Sequence, residues 1–281
     1  MEHVFYIFAN DLKAPKLMFK QIALVFFTIF GITTVSHAQL NLAHEIGVIF
    51  GPVIFQSDYG ERNNFDTNIG NNGFGVGIVH FLNFSSNANR DYYFNEHFKL
   101  RSELSFNKIN LQHFGQWVER DPGAIDTQQL RAMSGKTTLL NVGTQVEFFP
   151  FIKIHDFENT IGSFNPYISL GIMASFYNTE ASSSMGQLGD PAITYPKYLM
   201  PSDGRQYGFS SESGAAISGI IGAGVHYKLN EMNDLMFEIR YQGFTSDWID
   251  GLNPNKNIYK ENKSNDSQVW FNFGYVYYLE F

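Results

Sequence analysis

The 281-residue chain contains no cysteine. That absence excludes disulfides, thiolate metal sites, thiol nucleophiles and a cysteine-linked lipid anchor of the bacterial lipoprotein type. Charge is also scarce: Asp, Glu, Lys and Arg make up 16% of the residues, 27 of them acidic and 19 basic, for a net charge of -8. Nucleic acid is therefore not an expected partner, because neutralising phosphates requires clustered Lys and Arg. Beyond residue 38 no apolar run approaches the ~18–20 residues of a membrane-spanning helix. Also missing are a phosphate-cradling G-x-x-x-x-G-K-[ST], a zinc-binding H-E-x-x-H and a nucleophile elbow G-x-S-x-G.

What is plentiful is aromatic surface, with 28 Phe, 15 Tyr and 3 Trp. Its placement is ordered. Reading back from Phe281, apolar side chains recur at every second position: Leu279, Tyr277, Tyr275, Phe273, Phe271 and Val269. Strand side chains alternate between faces, so this stretch has one lipid-compatible face and one mixed face. At the other end, Lys16 and Lys20 precede an apolar run from Ile22 to Val35, followed by Ser36-His37-Ala38. A charged region, an apolar core too short to span a bilayer and a small-residue cleavage site predict a signal peptide over 1–38. Residues 1–17 read as an upstream extension, with Met18 as a start, and 39–281 as the exported barrel.

Seven further stretches alternate in the same way, at about 44–55, 73–84, 97–111, 138–149, 165–177, 215–229 and 235–246. Export without a membrane helix, together with period-2 alternation, predicts an all-β fold. The specific expectation is a transmembrane, antiparallel, up-and-down β-barrel of about eight strands in the outer membrane. Short connections should lie in the periplasm and the long ones at 56–72, 112–137, 178–214 and 247–266 outside. A hairpin near Ala192–Met200 would raise the count to ten.

If the register holds, Glu45, Lys99, Arg101, Glu103, Glu147, Lys228, Glu238 and Arg240 point inward, with His226 and Glu280. An eight-stranded barrel is just wide enough for side chains to fill it. Unpaired buried charges are costly, so these groups should pair into a network. Outside, the first and last connections neighbour each other and carry Asp58, Glu61, Asp247 and Asp250, with Asp66 and Asp266 nearby. Converging carboxylates suit Ca²⁺, a hard cation with oxygen ligands, although their spacing is not that of an EF-hand. No organic cofactor is expected. Neither is enzymatic chemistry: His80 falls on the apolar face of the second strand, but no nucleophile or paired carboxylate accompanies it.

Several segments carry a family likeness. They are His44-Glu45-Ile46-Gly47-Val48 with Ser57-Asp58-Tyr59-Gly60, Pro166-Tyr167-Ile168 with Leu170-Gly171, the stretch Asp247–Pro254, and the Tyr-rich terminal strand. Together, over 44–281, they resemble small outer-membrane β-barrel proteins of Bacteroidota. The strand pattern is similar to OmpW-like and PorG-like barrels, the latter associated with type IX secretion. The resemblance implies a fold and a compartment, with no residue roles. Expected partners are outer-membrane lipid, the barrel-insertion machinery during assembly, and a protein met by the loop 178–214 through Met185, Tyr195, Tyr198 and Met200. The expected role is structural or partner-binding, within a secretion or envelope assembly. The alternative is a narrow channel for ions or small apolar solutes.

Overall fold

A strand that crosses lipid must present apolar side chains at every second position, and each predicted strand does. The computed structural model describes residues 42–61, 64–85, 92–262 and 264–279. The predicted signal segment 1–38, with its extension 1–17, and the terminal Glu280 and Phe281 lie outside the described residues.

Eight antiparallel strands close into one barrel in sequence order. They are β1 (Ala43–Gln56), β2 (Asn72–Asn83), β3 (Phe98–Gln112), β4 (Met133–Phe148), β5 (Phe164–Ser183), β6 (Ser213–Asn230), β7 (Asn233–Phe244) and β8 (Ser267–Leu279). Closure is made by β1 on β8, with Glu45 opposite Tyr278 and Phe50 opposite Phe273. Short helices occupy the connections: α1 (Phe65–Asn68), α2 (Tyr93–His97), α3 (Gln116–Glu119), α4 (Ile125–Ala132) and α5 (Ile154–Glu158). Residues 192–200 form no hairpin; a 3-10 turn, Pro196–Leu199, lies there instead. The count is therefore eight, not ten.

The outward face is a belt of bare hydrocarbon. Ile46, Val48 and Phe50 on β1, Phe74, Val76 and Ile78 on β2, and Ile168, Leu170 and Ile172 on β5 are 43–68% exposed. On β3 the belt runs from Phe98 to Phe106. At about 3.4 Å per residue and a tilt near 40°, that is about 20 Å of depth, close to the band of about 25 Å in outer-membrane barrels. A closed ladder leaves no unpaired edge in lipid, so this barrel spans a membrane in the manner of outer-membrane barrels. One rim carries an aromatic girdle, with Phe94 stacked on Phe98 at 4.9 Å and Phe98 on Phe148 at 4.8 Å. Tyr92, Tyr93 and Phe94 are exposed there, beside α2, as interfacial anchors are.

Two strands exceed their predicted length. β4 begins at Met133 rather than about 138, and β5 runs to Ser183 rather than about 177. Their extra outward residues are Ser134, Lys136, Asn178, Glu180 and Ser182, which stand above the belt in water. There both faces tolerate polar side chains, and the alternation that marks a lipid-facing strand disappears. The β6–β7 connection is tighter than predicted, with only Glu231 and Met232 between the strands.

Two local features serve the interior. Pro52 has no N–H, and the β1–β8 pairing is interrupted at Gly51-Pro52. The Gly51 carbonyl instead accepts a bond from Trp270 Nε1 at 3.2 Å, which fixes the indole inside the barrel. His80, odd on a lipid face, meets His44 from β1: the rings stack at 5.2 Å, with Nδ1 of His44 and Nε2 of His80 3.0 Å apart. Each imidazole thereby covers polar surface of the other near the rim.

Candidate functional site

Inward side chains of the membrane-level strands arrive in layers. The middle layer is ionic. Arg101 on β3 reaches Glu147 on β4 at 2.8 Å and Glu238 on β7 at 2.9 Å. Arg240 on β7 reaches Glu103 at 2.8 Å and Glu238 at 3.0 Å. Glu238 thus sits between two guanidiniums. Its carboxylate lies over Gly222 on β6, the ladder partner of Arg240, where a Cβ would come within 2.4 Å of Glu238 Oε1. Gln145 donates to Glu103 at 3.0 Å and accepts from Arg101. All of these side chains are buried. Above them, Gln242 donates to Ser218 at 2.7 Å and accepts from Gln268 at 2.7 Å.

The layer towards the short-connection end is a second cluster. Lys99 pairs with Glu45 at 2.7 Å and Lys228 with Asp234 at 3.3 Å. Tyr278 donates to Asp234 at 2.6 Å, and the Lys228 ammonium lies 3.6 Å from the Tyr278 ring centre. His226 stands between Glu147, at 3.5 Å, and Asp234, at 3.6 Å. Helix α5 closes this mouth. Its Ile154 and Phe157 are buried, and Phe157 meets His226 edge-on at 6.4 Å. Glu158, on the same helix, accepts from Asn83 and from Ser85. Burial pushes the Glu158 carboxyl above the usual carboxylate range.

The eight predicted lumen charges therefore lie together inside the barrel: Arg101, Arg240, Glu103, Glu147 and Glu238 form the middle layer, and Glu45, Lys99 and Lys228 lie nearer the mouth. Three participants were not anticipated. Asp234 reads as part of a polar turn, but begins β7 and faces inward. Glu158 lies in a connection with no alternation to orient it. Gln145 is uncharged, so pairing logic passes it over.

At the opposite end the four long connections fold into a single cap. Phe114 N–H donates to the Tyr59 carbonyl at 3.1 Å, joining the first connection to the second. Ser184 N–H donates to Ala132 O at 3.0 Å, joining the third to the second. Ser210 N–H donates to Gly251 O at 2.8 Å, and Asn253 N–H to Gly208 O at 2.9 Å, joining the third to the fourth. Asp58 N–H donates to Asp250 Oδ2 at 2.9 Å, joining the first to the fourth. The cap has its own apolar interior, with Tyr59, Val118, Leu130, Tyr198, Trp248, Ile249 and Leu252 buried in one cluster continuous with the barrel core.

The stretch Asp247–Pro254 is the centrepiece of this cap. Gly251 N–H closes a turn on Trp248 O at 3.3 Å. Gly251 has φ +85°, a left-handed conformation that favours glycine. The turn dips into the barrel mouth, where Thr137 Oγ1 on β4 donates to Ile249 O at 2.6 Å. The Arg205 guanidinium covers the Trp248 ring at 3.4 Å.

The acidic side chains expected to chelate a cation have other employment. Asp250 Oδ1 accepts from Leu252 N–H at 2.7 Å, and Asp266 Oδ2 accepts from Ile249 N–H at 2.9 Å. Asp247 pairs with Lys256 at 3.2 Å. Glu61 turns to Gln116 N–H, at 2.7 Å, and to Asn64. Among the described residues no group of three or more ligating side chains has a metal-binding arrangement. Of the expected set Asp58, Glu61, Asp247 and Asp250, Asp58 and Asp250 meet directly, and backbone N–H groups bond the Asp250 and Glu61 carboxylates. Burial, with Asp58 beside it, pushes the Asp250 carboxyl well above the usual range. Burial, with Asp250 beside it, does the same to Asp266.

In the loop 178–214, Tyr198 is buried in the cap, Tyr195 is half-buried, and Met200 accepts from the Tyr259 hydroxyl at 3.6 Å. Of the four side chains expected to meet a partner, Met185 is the most exposed, at 44%.

No family model matches this chain, and neither does any curated protein. Among solved structures it is similar to the attachment invasion locus protein Ail of Yersinia pestis, with 12% identity, TM-score 0.41, and coverage of 85% of this chain and 100% of that one. It is also similar to Neisserial surface protein A, with 13% identity, TM-score 0.41, and coverage of 83% and 96%. A third is a major outer membrane protein of Thermus thermophilus, with 9% identity, TM-score 0.44, and coverage of 85% and 100%. The fold itself is established by the closed ladder and apolar belt described above.

Proposed function

We propose that this protein is a sealed outer-membrane barrel that holds a folded external platform for a protein partner, within a secretion or envelope assembly. The observation that carries the reading is exposed apolar surface where no lipid reaches. On the cap, Phe65 and Ile69 by α1, Trp117 on α3, Ile125 on α4 and Ile258 are 46–70% exposed. Apolar groups turned to water on one folded body give a partner surface to bury. The ionic lumen supports the same reading, because a paired and buried charge network resists rearrangement and leaves a transport role without a path. It therefore weighs against the narrow-channel alternative.

The reading is tested by isolating the protein from native membranes in mild detergent. The expected result is a stoichiometric protein partner that is lost from the Phe65→Ser/Ile125→Ser variant, while the heat-modifiable gel shift of the folded barrel persists. A partner-free protein, or a partner indifferent to those substitutions, contradicts it.

A further inference from the structure

Between the first, second, third and fourth connections the cap encloses a cavity of about 620 Å³. That lies within the range of about 300–1,000 Å³ usual for small-molecule sites. Its lining is dominated by rings, among them Tyr59, His113, Trp117, Tyr195, Tyr198 and Tyr259. Trp117 is 53% exposed, so one aromatic face remains open at the entrance.

The polar groups of the lining narrow the class of occupant. Lys197 places a cation in the lining: its Nζ lies 5.1 Å from the Tyr259 ring centre and donates to Asn262 Oδ1. A second cation would be repelled there. Asp58 and Glu61 line the same cavity and disfavour an anion. His113 Nε2 and the Tyr59 hydroxyl are themselves buried away from the cavity space, the hydroxyl against Gly135, so these two residues present their rings to it. The His113 ring lies 4.6 Å from that of Tyr59 and 5.8 Å from that of Tyr198. Burial, together with the Lys197 ammonium, pushes His113 down to about 3, so its imidazole is neutral and both accepts and donates hydrogen bonds.

We infer that this cavity is a binding site for a neutral saccharide. Flat aromatic faces suit the C–H face of a sugar ring. The carboxylates of Asp58 and Glu61, each held by protein N–H donors, keep further lone pairs for its hydroxyls. The charges of both signs in the lining disfavour a ligand with net charge of one sign. This site goes beyond the platform reading, and it stands or falls without a protein partner.

The test uses the full chain refolded in an amine-oxide detergent, which carries no sugar. Saturation-transfer NMR is run with methyl glycosides of glucose, galactose, mannose and N-acetylglucosamine at millimolar concentration. The expected result is transfer to at least one of them, concentrated on ring C–H protons, with affinity reduced about tenfold in Trp117→Ala. Tyr195→Ala provides a second, independent wall of the cavity, and a retained heat-modifiable shift shows that each variant is folded. Absence of transfer from all four glycosides overturns the inference. So does transfer unchanged in both variants, or displacement of the bound glycoside by choline or by a sulfated sugar.

Discussion

Arg101→Ala should lower the stability of the folded barrel by about 3–5 kcal/mol, the usual cost of removing one partner from a buried ion pair. The magnitude follows from what stays behind. Glu147, at 2.8 Å from the lost guanidinium, keeps His226 at 3.5 Å, and Glu238 keeps Arg240 and the Ser169 hydroxyl at 2.9 Å. Both carboxylates are fully buried, so water cannot replace the arginine without opening the lumen. The measurement is urea unfolding of protein reconstituted in vesicles, followed by loss of the heat-modifiable band. Adding Glu147→Gln should recover part of the loss, because it removes one stranded charge. A single variant within about 0.5 kcal/mol of the parent, the range of an ordinary surface substitution, would show that the network is solvated and contributes little.

Trp248→Ala should act on the cap and leave the membrane segment intact. Trp248 is buried, stacked beneath Arg205 at 3.4 Å and bonded through Nε1 to Asp203 at 3.1 Å. Truncating a buried Trp costs about 3–5 kcal/mol. Charged to local opening of the cap, about 3 kcal/mol makes the open state on the order of 10²-fold more populated. Proteolytic nicking within residues 184–212 should accelerate by that factor, and the heat-modifiable shift should not move. Equal nicking rates would mean that the four connections are independent loops. Loss of the barrel itself would mean that the cap and the strands form one cooperative unit.

These two experiments address parts of the molecule that differ in how much the sequence reveals. Lipid imposes a strict rule on every outward position, so Ile46, Val48 and Phe50, or Phe273, Tyr275 and Tyr277, declare their face directly. The inward charges follow by alternation, because Lys99, Arg101 and Glu103 must all share the opposite face of β3. Alternation says nothing about partners. Glu238 meets Arg101 across the barrel, and only closure of the ladder brings them together. Asp234 was hidden by its turn-like setting Asn230–Asp234, and Glu158 by lying on α5, outside any strand.

The cap was less legible for a physical reason. Above the membrane no solvent rule acts on the chain, and polar loops that stay solvated look like polar loops that fold. Tyr198 resembles an exposed binding aromatic in sequence, yet it is a core residue, as is Trp248. The carboxylates show the same limit. Asp58 and Asp250 converge, as their neighbouring connections suggest, but nothing in the sequence signals the buried N–H groups that also demand acceptors there.

The central claim is that the lumen is closed, by ion pairs at its middle, by α5 at one mouth and by the Asp247–Pro254 turn at the other. Planar-bilayer recording of the purified, heat-modifiable protein tests it most directly. The account predicts an unchanged baseline under applied voltage, with no unitary steps in monovalent salt. Reproducible unitary conductance from the folded barrel would contradict it.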